Sequence, residues 1–184
     1  MTTSQTAPSS NRIRVIQGEH AVSDRPDVVL TTILGSCIAA CIYDEEAKLG
    51  GMNHFLLPGA CGQADLSTSF GVNAMELLIN NLLQCGAQRH RLKAKLFGGG
   101  DVTADITADI GKMNADFAER FLIDENIEII ATSTGGTRAR KVEYWPATGR
   151  ARQAFLGADR DLFARETAKP KQSSGDAGGD LELF

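Results

Sequence analysis

The sequence predicts a mixed β-sheet with helices packed on it, an α/β or α+β fold that the pattern by itself does not separate. Apolar, β-branched runs bounded by Gly or Pro indicate strands. Two segments with apolar residues at three- and four-residue spacing indicate helices. The composition, with 42% hydrophobic and 23% charged residues among 184, excludes wholesale disorder and suits one domain with a sizeable core.

The first predicted strand is the run Val28–Leu34, which lies between Pro26 and Gly35 and is rich in β-branched residues. A polar turn at Asp44–Lys48 separates the next two strands and predicts a hairpin. Two later strands and a C-terminal hairpin follow the helices. The further strands are predicted at 37–43, 50–57, 92–97, 127–131, 142–145 and 151–156.

The two predicted helices are amphipathic. Residues 70–85 carry Met75, Leu78 and Leu82 on one face, and Gly86 stands where a helix commonly ends. Residues 110–125 form the second helix by the same criterion. A polar loop is expected at 59–69, before the first helix.

Charge and hydropathy exclude several classes of function. The formal net charge is -4, so the chain has no overall basic character of the kind that nucleic acid attracts. The longest near-apolar stretch, Ile33–Tyr43, is far shorter than the roughly 20 residues that cross a bilayer. The N-terminus lacks the basic start and apolar centre of a secretory signal, so we expect a cytoplasmic protein with reduced cysteines.

The two ends of the chain differ in composition from its centre. Residues 1–12 are mostly Ser, Thr, Gln and Ala, and residues 166–184 are rich in Gly, Ser and charge; we expect both to be disordered tails around one domain at 13–165. The apolar and acidic residues at 181–184 are compatible either with a solvated tail or with docking on this protein or on a partner.

A candidate catalytic group follows the first strand. Gly35 and Ser36 allow a sharp turn that leaves Cys37 beside open backbone N–H groups. His54 lies on the strand that returns from the hairpin and is a candidate base for the thiol. If the turn preserves the strand's alternation, Thr31 shares a face with Cys37 and orients the imidazole. The alternative is structural, with Cys37 as a small core residue and His54 as a satisfied polar residue.

The other chemically notable residues favour structural roles. We expect Cys41 to pack in the core, since no neighbouring residue completes a metal site with it. The triple glycine before Asp101 lacks the Lys and Ser/Thr of a phosphate-binding loop and fits close backbone passage near the site. Asn53 suits substrate positioning or structural hydrogen bonding equally.

The remaining cysteines and histidines are expected to have surface or packing roles; they are Cys61, Cys85, His20 and His90. A basic cluster is formed by Arg138, Arg140 and Lys141. It suits either exposure to solvent or contact with an acidic partner helix.

Four blocks of sequence carry a resemblance to a known family. They are TTILGSCIAACIYDEEAKLGGMNHFLLP (31–58), KLFGGGDV (95–102), IGKMN (110–114) and GGTRARKVEYWPATGR (135–150). In this order they resemble CheD, the family of bacterial chemoreceptor glutamine deamidases, over roughly residues 12–156. The resemblance implies a layered α/β/α sandwich and places the family's catalytic cysteine, histidine and threonine on Cys37, His54 and Thr31.

The resemblance also implies an activity. It is the hydrolysis of particular glutamine side chains on the cytoplasmic helices of methyl-accepting chemotaxis receptors, through a thioester on Cys37, with His54 keeping the thiolate ionised. Some members also hydrolyse glutamyl methyl esters, and many bind the phosphatase CheC. No metal, organic cofactor, nucleic acid or membrane insertion is expected. The alternative is a non-catalytic chemotaxis regulator that binds a receptor or a CheC-type phosphatase.

Overall fold

The structure is a computed structural model that describes residues 11–57, 64–102 and 108–156. Residues 64–69 of the loop expected at 59–69 are helical, whereas residues 59–63 and the predicted tails at 1–10 and 166–184 lie outside the described residues. So does Cys61. Among the described residues no helix combines the length and apolarity needed to span a membrane.

The described chain contains nine strands and two α-helices. In chain order they are β1 (Asn11–Arg14), β2 (Glu19–Ser23), β3 (Val28–Leu34), β4 (Ile38–Asp44), β5 (Leu49–His54), α1 (Ala64–Gln84), β6 (Leu92–Gly98), α2 (Ala108–Asp124), β7 (Glu128–Thr134), β8 (Arg140–Trp145) and β9 (Arg150–Phe155). The predicted strands and helices are present, most with ends shifted by one or two residues, although α1 begins earlier than its periodicity indicates.

The strands form two mixed sheets. A four-stranded sheet has the order β1-β3-β8-β9 and is called the outer sheet here. A five-stranded sheet has the order β2-β5-β4-β6-β7 and is called the inner sheet. Each contains one parallel pair, β1 with β3 and β6 with β7, and is otherwise antiparallel. The predicted α/β class, with mixed sheets, hairpins and two main helices, is confirmed.

The inner sheet is the middle layer of the fold. Its strand β4 is buried along its whole length, and such a strand needs cover on both faces. Ile38, Ala40 and Ile42 pack against the two helices, whereas Ala39 and Cys41 pack against the outer sheet. The described layers are therefore helix, sheet and sheet, so a second sheet stands where the α/β/α expectation placed helices.

Two strands near the N-terminus carry little sequence signal. All four residues of β1 are exposed, and β2 is at most half-buried, because both lie at sheet edges. Edge strands of this kind lack the apolar run that marks a buried strand. β1 begins at Asn11, so the last two residues of the tail expected at 1–12 belong to the fold.

The turn between β4 and β5 is fixed by a buried carboxylate. Asp44 is fully buried and accepts hydrogen bonds from the backbone N–H groups of Glu46 and Ala47, both at 3.1 Å. Arg91 adds an ion pair at 2.7 Å. The carboxylate thus holds the predicted hairpin in one register, which determines where residues on β5 lie relative to those on β4.

Candidate active site

The nucleophile candidate lies on the turn between the two sheets. Gly35, Ser36 and Cys37 connect β3 of the outer sheet to β4 of the inner sheet. All three carbonyl oxygens of this turn accept hydrogen bonds. The donors are Gly100 N to Gly35 O at 2.8 Å, Asn114 Nδ2 to Ser36 O at 2.9 Å and Gly99 N to Cys37 O at 2.7 Å.

The triple glycine fits this turn because side chains have no room there. Gly98 has φ of 114°, and a Cβ on it would lie 2.1 Å from Cys37 O. A Cβ on Gly99 would meet Gly111 O at 2.7 Å, so this loop is held between the turn and α2. The expected close backbone passage beside the site is present.

Strand register brings His54 to the face that carries Cys37. Ile38 and Phe55 form an antiparallel bridge, with N–H to O distances of 2.9 and 3.0 Å in the two directions. Cys37 and His54 flank that bridge diagonally on the face that packs against the outer sheet. Diagonal neighbours have Cα atoms about 7–8 Å apart, within reach of long side chains. The register therefore places Cys37 and His54 on one face of the inner sheet, diagonally across the bridge.

Hydrogen bonds determine the protonation of the imidazole. His54 Nδ1 lies 2.9 Å from Thr32 Oγ1 and 3.3 Å from the carbonyl oxygen of Val15. Thr32 Oγ1 itself donates to Val15 O at 2.8 Å, so it accepts from Nδ1–H. The other ring nitrogen, Nε2, is buried and has no hydrogen-bond partner among the described residues. Nε2 is thus unprotonated and free to accept a proton.

The structure places Thr32, and not Thr31, beside the imidazole of His54. Thr31 Oγ1 lies 3.5 Å from the carbonyl oxygen of Ile13, and the contact with His54 belongs to Thr32. The alternation argument failed because the turn at 35–37 carries the chain from one sheet to the other, so parity along β3 does not continue into β4. Leu30 and Leu34, which share a face with Thr32, are buried and mark that face as the inner one.

Sequence reasoning also missed the segment between β1 and β2. Val15 supplies the carbonyl that receives the Thr32 hydroxyl, and Gly18 N donates to His54 O at 2.7 Å. Between them, the Gln17 carboxamide oxygen accepts from the Cys37 thiol at 3.5 Å. These residues carry no local signal, because a tertiary contact brings them to the site.

Comparison with known proteins supports one family. The family model for CheD chemotactic sensory transduction matches residues 56–154. A protein of Acidiphilium cryptum named probable chemoreceptor glutamine deamidase CheD is 54% identical over 95% of this chain and 94% of its own length. Proteins of the same name from Rhizobium meliloti and Agrobacterium fabrum are 55% and 49% identical, over 90% and 96% of this chain and 92% and 98% of their own lengths.

The chain belongs to the CheD family. The CheD family match begins after His54, so the geometry described above, and not that match, is the observation that concerns Cys37 and His54. Among solved structures, the hypothetical protein YfiH of Bacillus licheniformis is 15% identical, with a TM-score of 0.41 over 62% of this chain and 49% of its own. This likeness is too weak to support an argument.

Burial determines the charge state of the pair in this CheD chain. It raises the pKa of the Cys37 thiol to about 11, although the residue's own N–H opposes the shift. Burial also lowers the pKa of His54 to about 4, against a raising effect of the Val15 carbonyl. At neutral pH the resting pair is therefore a thiol and a neutral imidazole. The resemblance implied a thiolate kept ionised by His54, whereas these two pKa shifts favour the neutral pair at rest.

The remaining thiols have structural surroundings. Cys41 is fully buried among the residues between the two sheets, and burial raises its pKa. Cys85 is exposed at the end of α1, with its Sγ 3.5 Å from Asn81 Oδ1. Within the described ranges, no group of three or more His, Cys, Asp or Glu side chains is arranged to hold a metal ion.

Hydrogen bonds and exposure show which residues of the basic cluster are structural and which are accessible, and they also favour one of the two roles considered for Asn53. Arg140 is 1% exposed, and its guanidinium donates to the carbonyl oxygens of Ser133 and Gly135, so it is a structural residue. Lys141 is exposed and remains accessible to a partner. Asn53 is buried and bridges Ala40 N to Ala74 O, which favours the structural alternative for this residue.

Because His54 is buried and neutral, the folded chain is expected to lose stability at acid pH. The pKa of His54 is about 4 in the folded chain against an ordinary value of 6.5, so the unfolded chain binds the extra proton first. Stability is therefore expected to fall as pH drops from about 6.5 to about 4, by about 3 kcal/mol for this group. Urea unfolding of the wild type and of His54→Gln across this window measures it. The variant is expected to show the smaller pH dependence, and equal slopes would contradict the assignment.

Proposed function

We propose that this CheD chain is a protein-glutamine deamidase that converts particular glutamine side chains of chemoreceptors to glutamate. Curated relatives at about half identity are named probable chemoreceptor glutamine deamidases, an amidohydrolase activity. The observation that carries the proposal is the site itself. A thiol at Cys37 lies on the same sheet face as an imidazole whose Nε2 is buried and unpartnered among the described residues.

The space beside the thiol accommodates a carboxamide. Gln17 places its own side-chain amide there, with Oε1 3.5 Å from Cys37 Sγ. Because Gln17 is exposed, its side chain is able to swing away and admit a substrate glutamine. The contact supports a glutamine side chain as the group that reaches the nucleophile.

The first chemical step forms a thioester. The Cys37 thiol gives its proton to His54 Nε2 while the sulfur attacks the carboxamide carbon, forming a C–S bond and an oxyanion. We propose that the N–H groups of Ser36 and Cys37, which donate to no carbonyl among the described residues, stabilise that oxyanion. His54 then returns the proton to the departing nitrogen, the C–N bond breaks, and ammonia leaves.

The second step regenerates the thiol. His54 Nε2 takes a proton from water as the water oxygen attacks the thioester carbon. The C–S bond breaks, glutamate is released, and the proton passes from His54 to the sulfur. Water is consumed and ammonia is produced, so the reaction balances without a cofactor. A glutamyl methyl ester passes through the same thioester with methanol as the leaving group, so we propose esterase activity at the same site.

The proposal extends to partners. We propose that the substrate segment is a cytoplasmic helix of a methyl-accepting chemotaxis receptor and that a CheC-type phosphatase is a second partner in the cytoplasm. Exposed positive charges on the outer sheet, such as Arg14 and Lys141, suit a helix with acidic side chains. A non-catalytic regulator would use such a surface without the chemistry.

Mass spectrometry of receptor fragments tests the function. Incubation with the wild-type chain is expected to add one dalton at particular glutamines and to release ammonia. The Cys85→Ala variant serves as the control, because that exposed thiol lies outside the site. Fragments that bind the chain but keep every glutamine would favour the non-catalytic regulator and overturn the proposal.

A pair of threonine variants tests how His54 is oriented. Thr32→Val removes the hydroxyl that joins His54 Nδ1 to Val15 O, and we expect about tenfold or more loss of kcat with about 1–3 kcal/mol lower stability. Thr31→Val removes a hydroxyl with one long contact and is expected to change kcat little. Deamidation rates and urea unfolding measure both. A large loss in Thr31→Val with none in Thr32→Val would return the role to Thr31.

A further inference from the structure

We propose that Asn114 is a positioning residue that aims the Cys37 N–H at the developing oxyanion. This inference rests on the proposed function, since it concerns the same site. Asn114 lies on α2, well apart from Cys37 in sequence, and its side chain is fully buried. Its Nδ2 donates to Ser36 O at 2.9 Å.

Peptide planarity links that hydrogen bond to the catalytic N–H. The Ser36 carbonyl and the Cys37 N–H belong to one planar trans peptide and point in opposite directions. Holding the carbonyl oxygen toward α2 therefore aims the N–H away from α2. Gly100 N holds the preceding peptide in the same way through Gly35 O, at 2.8 Å. Both N–H groups of the turn are thus oriented through their carbonyl partners.

The same side chain also reaches the histidine strand. Asn114 Oδ1 accepts from Leu57 N at 2.7 Å, shortly after His54. One buried amide therefore joins the segment that carries the nucleophile to the segment that carries the base. Gly111, one helical turn earlier on α2, permits the close approach, because a Cβ there would lie 2.6 Å from Gly99 O.

A second buried amide provides a matched comparison. Asn53 likewise joins two backbone groups through its side-chain amide, accepting from Ala40 N at 2.9 Å and donating to Ala74 O at 3.1 Å. It is 1% exposed, much as Asn114 is. Its donor arm binds a carbonyl of α1, whereas the donor arm of Asn114 binds the turn that carries Cys37. A purely structural role predicts similar effects from replacing either amide.

The experiment compares two reactions of Cys37 in Asn114→Ala, Asn53→Ala and the wild type. Acylation by p-nitrophenyl acetate passes through an oxyanion, whereas alkylation by iodoacetamide does not. Both are followed by mass spectrometry of the peptide that contains Cys37, at a temperature where all three chains are folded. In Asn114→Ala, acylation is expected to fall at least about tenfold while alkylation stays within about threefold. In Asn53→Ala neither rate is expected to change by more than that, despite a similar fall in Tm.

Three results would overturn the proposal. Parallel loss of both reactions in Asn114→Ala indicates a merely structural amide, and unchanged acylation indicates that the N–H needs no such support. If Asn114→Ala does not fold, Asn114→Ser removes the same reach with a smaller cavity. A wild type whose Cys37 is alkylated but never acylated also overturns the proposal. Normal acylation without receptor deamidation would instead overturn the proposed function.

Discussion

Replacement of Cys37 by alanine is expected to abolish deamidation, with a loss of at least about 10³-fold, because no other group in the site supplies the nucleophile. The fold is expected to survive. Cys37 is only partly buried, and its sulfur makes one hydrogen bond, at 3.5 Å to an exposed side chain. Receptor-fragment mass spectrometry and thermal unfolding measure the two effects.

Cys41→Ala provides the converse control. The Cys41 side chain is fully buried between the sheets, so the variant is expected to lose about 1–3 kcal/mol of stability through a small cavity while keeping its activity. The two variants together separate chemistry from packing. Full activity in Cys37→Ala, or equal loss of activity in both variants, would contradict the assignment of the nucleophile.

Replacement of His54 by glutamine is expected to lower kcat by about 10²–10⁴-fold, because general acid and base catalysis are both lost. Glutamine keeps an amide near Thr32 and Val15 but offers no titratable nitrogen. Since burial raises the pKa of Cys37 to about 11, little thiolate forms without a base. Alkylation of Cys37 by iodoacetamide at neutral pH is therefore expected to slow as well.

The alkylation rate also identifies what His54 does. If His54→Gln loses deamidation while Cys37 is alkylated at the wild-type rate, His54 protonates the leaving group without activating the thiol. Unchanged deamidation would exclude His54 from the mechanism. Thr31→Val is a suitable control for both readouts, because its side chain lies on the opposite face of β3 from Thr32.

Local sequence patterns predicted the strands and helices that have buried apolar residues at a regular spacing. The run Val28–Leu34 matches β3 in both bounds, since every second residue of it faces a core. The position of Cys37 and His54 on one sheet face was also predictable from the sequence, because a short hairpin with a defined turn fixes the register of the two strands. The edge strands β1 and β2 were missed, since exposed residues on edge strands show no apolar period.

The sequence by itself determined the class of fold and the two helices, and it made Cys37 and His54 the candidate pair, because these follow from short-range periodicity and one hairpin. The tertiary structure decided which threonine contacts the imidazole, which side chain contacts the thiol and which amide binds the Ser36 carbonyl. Thr32, Gln17 and Asn114 reach the site from three different elements. Their places depend on how two sheets and a helix pack, and that packing is set by the whole buried surface.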